Sequence, residues 1–497
     1  MPVPAPTSSP PAFDTLIRNA QVVDGTGLPA WRGDVAIVGD RIAAAAPELP
    51  SLNCPHVVEA AGRVLCPGFI DVHTHDDRAL LSDPGMAPKI SQGVTTVVIG
   101  NCGVSLAPLV LHEPPPQPLD ALDDVGATKS WYRFATLADY RRALEAAQPA
   151  LNVYALVGHT TLRRAVMSDL SRPAGADEIA AMAQALDDAM SQGARGLSSG
   201  LFYPPAQGAP AAEVIALARV AARHHGIYTA HIRDEAEHVM PALQEAVEIA
   251  QRAGLPLVLS HHKVAGRANH GRTRETLPYV ARCATHHPVG VDVYPYEASS
   301  TMLNLRSASA ARRTVITWCE PMPHAAGRDL ADLMQQFGLS MEAAIERLSP
   351  AGAIFFMMDE ADVQQILRYP MAMIGSDGLP HDPMPHPRLW GSFTRVLGHY
   401  VRDTGLLTLP DAVRRMTSLP AAQFRMADRG VIASGAFADL VLLDPAVVDA
   451  GNCWTAPTLP SRGIDEVWVN GRHAWTQGAT LPARSGRWLD RPLPCLT

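Results

Sequence analysis

The stretch GFIDVHTHDD, residues 68–77, decides how this chain is read. An apolar, strand-like run ends in two histidines one residue apart, His73 and His75, and Asp76 and Asp77 follow at once. Side chains two apart on a strand point to the same side, so a strand ending here aims both imidazoles at one place, where they can bind one ion.

Outward from this stretch the same texture recurs. Strand-like apolar runs occupy residues 66–73, 95–102, 152–159, 195–202, 226–232, 255–262, 289–296 and 371–377. Helical stretches alternate with them, such as AAEVIALARVAARHHG at 211–226 and MPALQEAVEIAQRAG at 240–254, with apolar residues at helical spacing. Eight strands alternating with helices predict an α/β fold of the (β/α)8 TIM-barrel type, spanning residues 65–414. Both ends of the chain differ from the middle. TLIRNAQVVDGTG (15–27) and RGDVAIVGDRIAAAA (32–46) are short strands punctuated by Asp24-Gly25 and Gly39-Asp40; GAFADLVLLD (435–444) and IDEVWVNGRHAW (464–475) repeat the pattern. Residues 1–64 and 415–497 are therefore expected to build one small β domain from both termini. Residues 299–369, between strands seven and eight, are too long for one crossover and carry helical stretches, AAGRDLADLMQQFG (325–338) and ADVQQILRYP (361–370). An insertion there, at a barrel mouth, suits a lid.

Composition excludes several classes. The 497 residues are 47% hydrophobic and 18% charged, a globular balance with room for a large core. A net charge of −8 without a basic block points away from nucleic acid and anionic membrane surfaces. No apolar run approaches the roughly 20 residues of a membrane-spanning helix. The start, MPVPAPTSSPPAF, lacks the basic and apolar regions of a signal peptide and reads as a frayed tail. Seven cysteines, Cys54, Cys66, Cys102, Cys283, Cys319, Cys453 and Cys495, are scattered and odd in number, which suits a reducing, cytoplasmic setting. Lysine is scarce: only Lys89, Lys129 and Lys263 occur.

Barrel active sites lie at the C-terminal ends of the strands. The last residues of the runs are His73 and His75 on strand one, Cys102 on strand two, His231 on strand five, His261 on strand six and Asp377 on strand eight. Each alone has an ordinary explanation: a surface or core histidine, a small buried cysteine, a turn aspartate. Together they put metal-competent groups at one end of the barrel. Thiolate, imidazole and carboxylate favour zinc over magnesium or calcium. Fewer than four tight protein ligands leave a place for water, and Asp377 is the candidate general acid/base.

At this point the order of residues resembles the amidohydrolase superfamily. The combination GFIDVHTHDD, IGNCG, GLSSGLFYPP, HIRDE, SHHK and GSDGLPHDP…HPRLWGSF is similar to the N-acyl-D-amino-acid deacylases, the D-aminoacylase family, along nearly the whole chain. The resemblance implies hydrolysis of N-acyl-D-amino acids to a carboxylate and a free D-amino acid. It implies a tight zinc on Cys102, His231 and His261, a second, weaker metal position at His73 and His75, and Asp377 as the acid/base. Tyr203, Lys263, Tyr294 and Arg388 match positions that contact the substrate or its carboxylate. Within SHHK, His261 directly follows the strand and is chosen over His262, which should point the other way. The dihydroorotase and hydantoinase type needs a carbamylated lysine ending strand four, and no lysine lies between Lys129 and Lys263. A mononuclear deaminase has no use for the strand-two cysteine, and a non-catalytic scaffold would be expected to have lost ligands.

Overall fold

The computed structural model describes residues 13–50, 54–123, 130–476, 478–482 and 484–490. Nearly all of the Pro/Ser-rich start, together with Lys129 and Cys495, lies outside them.

Eight strands form the centre: β1 (Phe69–Asp71), β2 (Val94–Ile99), β3 (Asn152–Ala155, continued by Val157–Gly158), β4 (Gly196–Gly200), β5 (Ile227–His231), β6 (Leu257–Leu259), β7 (Val289–Val293) and β8 (Ala372–Ile374). Each pairs in parallel with the next, for example Asp71 opposite Val97, Gly200 opposite His231 and Val291 opposite Ala372. Just beyond the regular ends of β8 and β1, a parallel bridge between Thr74 and Gly378 closes the ring. There the Asp377 N–H donates to the His73 carbonyl at 2.7 Å. Ile70, Val72, Val98, Tyr154, Ile227, Val258 and Met373 make one apolar cluster, plugged by Leu419 and Phe424 from and just after the short helix Ser418–Gln423. Opposite faces of the same strands, such as Val97, Ala230 and Val291, join the main core. Strands apolar on both faces are what a parallel barrel wrapped by helices demands.

A nine-stranded sheet draws on both ends of the chain. Its centre is the antiparallel pairing of Val64–Pro67 with Leu440–Leu443, and Thr15–Val22 and Ile464–Val469 lie to either side. From Pro67 the chain passes straight into β1 through Gly68. A β-carbon there would meet the Thr95 side chain at 2.2 Å, so the close approach of β1 to β2 depends on glycine.

Between β7 and β8 the chain holds more than helices. Strands Ala298–Met302, Arg313–Cys319 and Ala351–Phe356 form an antiparallel sheet with Ala351–Phe356 in the middle. Helices Leu305–Ala310, Leu330–Phe337 and Met341–Leu348 accompany it. The last helix, Glu360–Arg368, packs on β7 and β8 and restores the strand–helix alternation. No helix among the described residues is long and apolar enough to cross a membrane.

Candidate metal centre

Apart from His231, the chemistry sits two to four residues past the regular strands. His231 ends β5, but Cys102, His261 and Asp377 follow β2, β6 and β8 on turns, and His73 and His75 follow β1. Cys102, His261 and Asp377 have φ of 53°, 35° and 50°. Left-handed backbone in non-glycine residues costs on the order of 1–3 kcal/mol each and persists where surrounding structure imposes it. Here it turns three side chains from three strands toward one point.

The structure brings all six together, and all six are buried. In each of two groups the donor atoms all lie within 4.8 Å of one another: His73, His75, Cys102 and Asp377; and Cys102, His231 and His261. Cys102 belongs to both. Its Sγ is 3.1 Å from His73 Nε2 and 3.4 Å from His261 Nε2, and His261 Nε2 is 3.0 Å from His231 Nδ1. Asp377 Oδ1 faces His75 Nε2 at 3.2 Å and His73 Nε2 at 3.5 Å. Burial works to raise the Cys102 thiol, but the His73 and His261 imidazoles beside it prevail and hold it well below its ordinary range, as thiolate. Asp377 is likewise held down against burial, by Arg388 and His73. The same carboxylate and Cys102 push His75 up to about 9, although burial opposes them. His262 turns away to Thr276 Oγ1 at 2.9 Å, and burial lowers it to about 4.

The residues expected to meet substrate ring this centre. Arg388 is buried, with Nη1 2.8 Å from Asp377 Oδ2 and Nη2 donating to the Ser300 carbonyl at 3.1 Å. Its guanidinium covers the Tyr294 ring at 4.5 Å, and the Tyr294 hydroxyl is buried without a hydrogen-bond partner. Tyr203 packs its ring 4.9 Å from that of His231. Two cavities flank the cluster and share Tyr203, Ser300, Thr301 and Asp377. The first holds Lys263, Tyr294, Phe202 and Arg306; the second holds His75, Cys102, Trp318 and Asp382. Ser300 and Thr301 belong to the strand Ala298–Met302, so the segment between β7 and β8 walls the centre.

Three groups behind the ligands escaped the sequence analysis. Glu235 accepts from Lys263 Nζ at 2.7 Å and lies 3.0 Å from His261 Nδ1. Asp292, from β7, accepts the His261 N–H at 2.7 Å and lies 3.2 Å from His73 Nδ1. Lys89, fully buried, donates to Asp71 Oδ2 at 2.8 Å and Ser376 Oγ at 2.6 Å and lies 3.3 Å from Asp76, which braces β1 against the β8 turn. The available signals were a carboxylate four residues after His231, a lone acid inside an apolar strand, and the rarity of lysine.

The chain matches the Amidohydrolase family over residues 56–279 and 267–474. It is 50% identical over 479 residues to D-aminoacylase of Alcaligenes xylosoxydans xylosoxydans, covering 96% of this chain and 98% of that protein. A solved structure of D-aminoacylase, in which a binuclear metal centre shows one-metal activation and second-metal attenuation, superimposes with a TM-score of 0.93 at 49% identity, over 96% of this chain and all of that one. N-acyl-D-glutamate deacylase from Bordetella bronchiseptica, solved with zinc and a phosphonate mimic of the reaction's tetrahedral intermediate, gives 0.92 at 44% identity over 97% and 100% of the two chains. The chain belongs to the amidohydrolase family and, within it, to the D-aminoacylase group.

Proposed function

We propose that this protein is a zinc-dependent N-acyl-D-amino-acid deacylase, releasing a carboxylate and a free D-amino acid. The observation that carries the proposal is a buried cysteine, Cys102, shared by two sets of imidazoles, one of which, His73 and His75, faces the Asp377 carboxylate. The donors suit zinc. A sulfur and two nitrogens make a borderline-soft set, and Cys102 Sγ, His261 Nε2 and His231 Nδ1 are gathered in one buried place. Cys102, His231 and His261 would hold the tight ion, and His73 and His75 a second, weaker one. A bound zinc supplies a polarised amide carbonyl and an acidified water.

The chain's own groups do the rest. Asp377 takes the water's proton on a carboxylate oxygen and returns it to the departing nitrogen. Arg388 and Lys263 hold the substrate carboxylate, Arg388 by a two-pronged contact that lysine lacks, and Tyr294 lies between them. Tyr203, beside His231, donates a hydrogen bond from its hydroxyl to the developing oxyanion. The segment over the mouth, with Ser300 and Thr301 in its inner wall, acts as a lid that excludes water. Preference for the D isomer rests on the relatives named above.

The test is hydrolysis of paired N-acetyl-D- and N-acetyl-L-amino acids with and without a chelator. Cleavage confined to the D isomers and lost on chelation is expected. Faster cleavage of the L isomers, or chelator-resistant activity, overturns the proposal.

A further inference from the structure

β7 supplies none of the six clustered donors, yet its Asp292 touches one from each set. Asp292 is buried, and Oδ1 accepts the main-chain N–H of His261 at 2.7 Å. That residue sits at φ 35°, where the turn needs an anchor. The same carboxylate lies 3.2 and 3.3 Å, through its two oxygens, from His73 Nδ1. The opposite nitrogen of that ring, Nε2, faces Cys102 Sγ at 3.1 Å. Strand β8 makes room for the contact. A β-carbon on Gly375 would come within 2.6 Å of His73 Cβ and 3.1 Å of Asp292 Oδ1.

A carboxylate only accepts, so the His73 nitrogen facing it, Nδ1, carries a proton, and Nε2, toward Cys102, is the nitrogen left to take a metal. We propose that Asp292 is a positioning residue for both metal positions: it pins the backbone of the tight ligand His261 and sets the tautomer of the weak ligand His73. This inference rests on the metal reading above and adds a separable claim. Asn at 292 would still accept from the His261 N–H through its oxygen. Toward His73 it would present an N–H, which favours the imidazole protonated on Nε2 and so closed to metal.

The test is zinc bound per chain by equilibrium dialysis across a free-zinc series, for the whole wild-type protein and Asp292→Asn. The expected result is a first ion held by both and a second ion held about 10–100-fold more weakly by the variant. Removal of one negative charge with no positioning role would weaken both ions alike. Equal weakening, an unchanged second ion, or a wild type that takes only one ion overturns the assignment while leaving the deacylase reading intact. A wild type that holds no ion overturns both. If Asp292→Asn fails to fold, Asp292→Ser, whose hydroxyl can still accept from His261, is read in the same way.

Discussion

Asp377 carries two demands that pull apart. In the proposed acid/base role it must be a carboxylate to take a proton, and Arg388 and His73 keep it so against burial. It must also lie clear of the donors proposed for the tight ion, and it does: the cluster of Cys102, His231 and His261 excludes it. Asp377→Ala should therefore lower kcat by about 10²–10⁴-fold while one zinc per chain survives dialysis, as read by metal analysis. Arg388→Lys keeps the charge but loses the planar fork. Its expected signature is a KM for N-acetyl-D-amino acids raised more than kcat is lowered, measured under initial-rate conditions; an unchanged KM would remove Arg388 from carboxylate recognition. Most of this site was legible in the sequence, because strand ends in a barrel face one mouth and His73, His75, Cys102, His231, His261 and Asp377 all fall there. What stayed hidden was the backbone. Nothing in the residue types announces that Cys102, His261 and Asp377 take left-handed φ, and Asp292 hid within the apolar run VGVDVYPY.

At the scale of elements, the helix His159–Val166 after β3 shows how a barrel of this size holds its crossovers. Its Arg163 is fully buried and donates to the Pro205, Leu170 and Arg172 carbonyls, and it pairs with Glu213 on the helix Ala211–Arg223 at 2.5 Å. His159 Nε2 meets the same carboxylate at 2.9 Å. Burial works to raise Glu213, but His159 and Arg163 bring it down to about 2. Its carboxyl thus titrates lower in the fold than in the unfolded chain. The stability it gives is complete above about 4.5 and drains away as pH falls toward about 2. Glu213→Gln should flatten that part of the stability-against-pH curve. Glu213→Ala, leaving the buried Arg163 guanidinium without its partner, should cost about 3–5 kcal/mol by denaturant unfolding at neutral pH. The sequence disclosed the barrel's strands and helices through their periodicities. It did not disclose the sheet between β7 and β8, since Ala351–Phe356 is buried on both faces and such a run has no alternation to distinguish it from a buried helical turn.

The whole molecule turns on one seam. Seven strand contacts of the barrel are ordinary ladders, whereas β8 meets β1 through a single bridge at Thr74 and Gly378. Lys89 stiffens that join by gathering Asp71, Asp76 and Ser376, all buried. Lys89→Met would strand two acidic groups in a dry interior. It should lower stability by about 3–5 kcal/mol, and hydrogen exchange at the Asp377 amide, which donates across the seam, should accelerate before exchange elsewhere in the ring does. Uniform acceleration would mean that Lys89 supports the fold at large and has no special hold on the join.

The three left-handed turns at Cys102, His261 and Asp377 also bear on laboratory evolution. Each of these codons is constrained twice, once by the donor it must supply and once by a main chain that repels β-branched side chains. Selection for new substrates can therefore recruit change from the walls, at places such as Phe202, Arg306, Met357 and Trp318, long before it can move a donor from one turn to another. A lineage of this kind would diversify its appetite while its reacting centre stayed frozen.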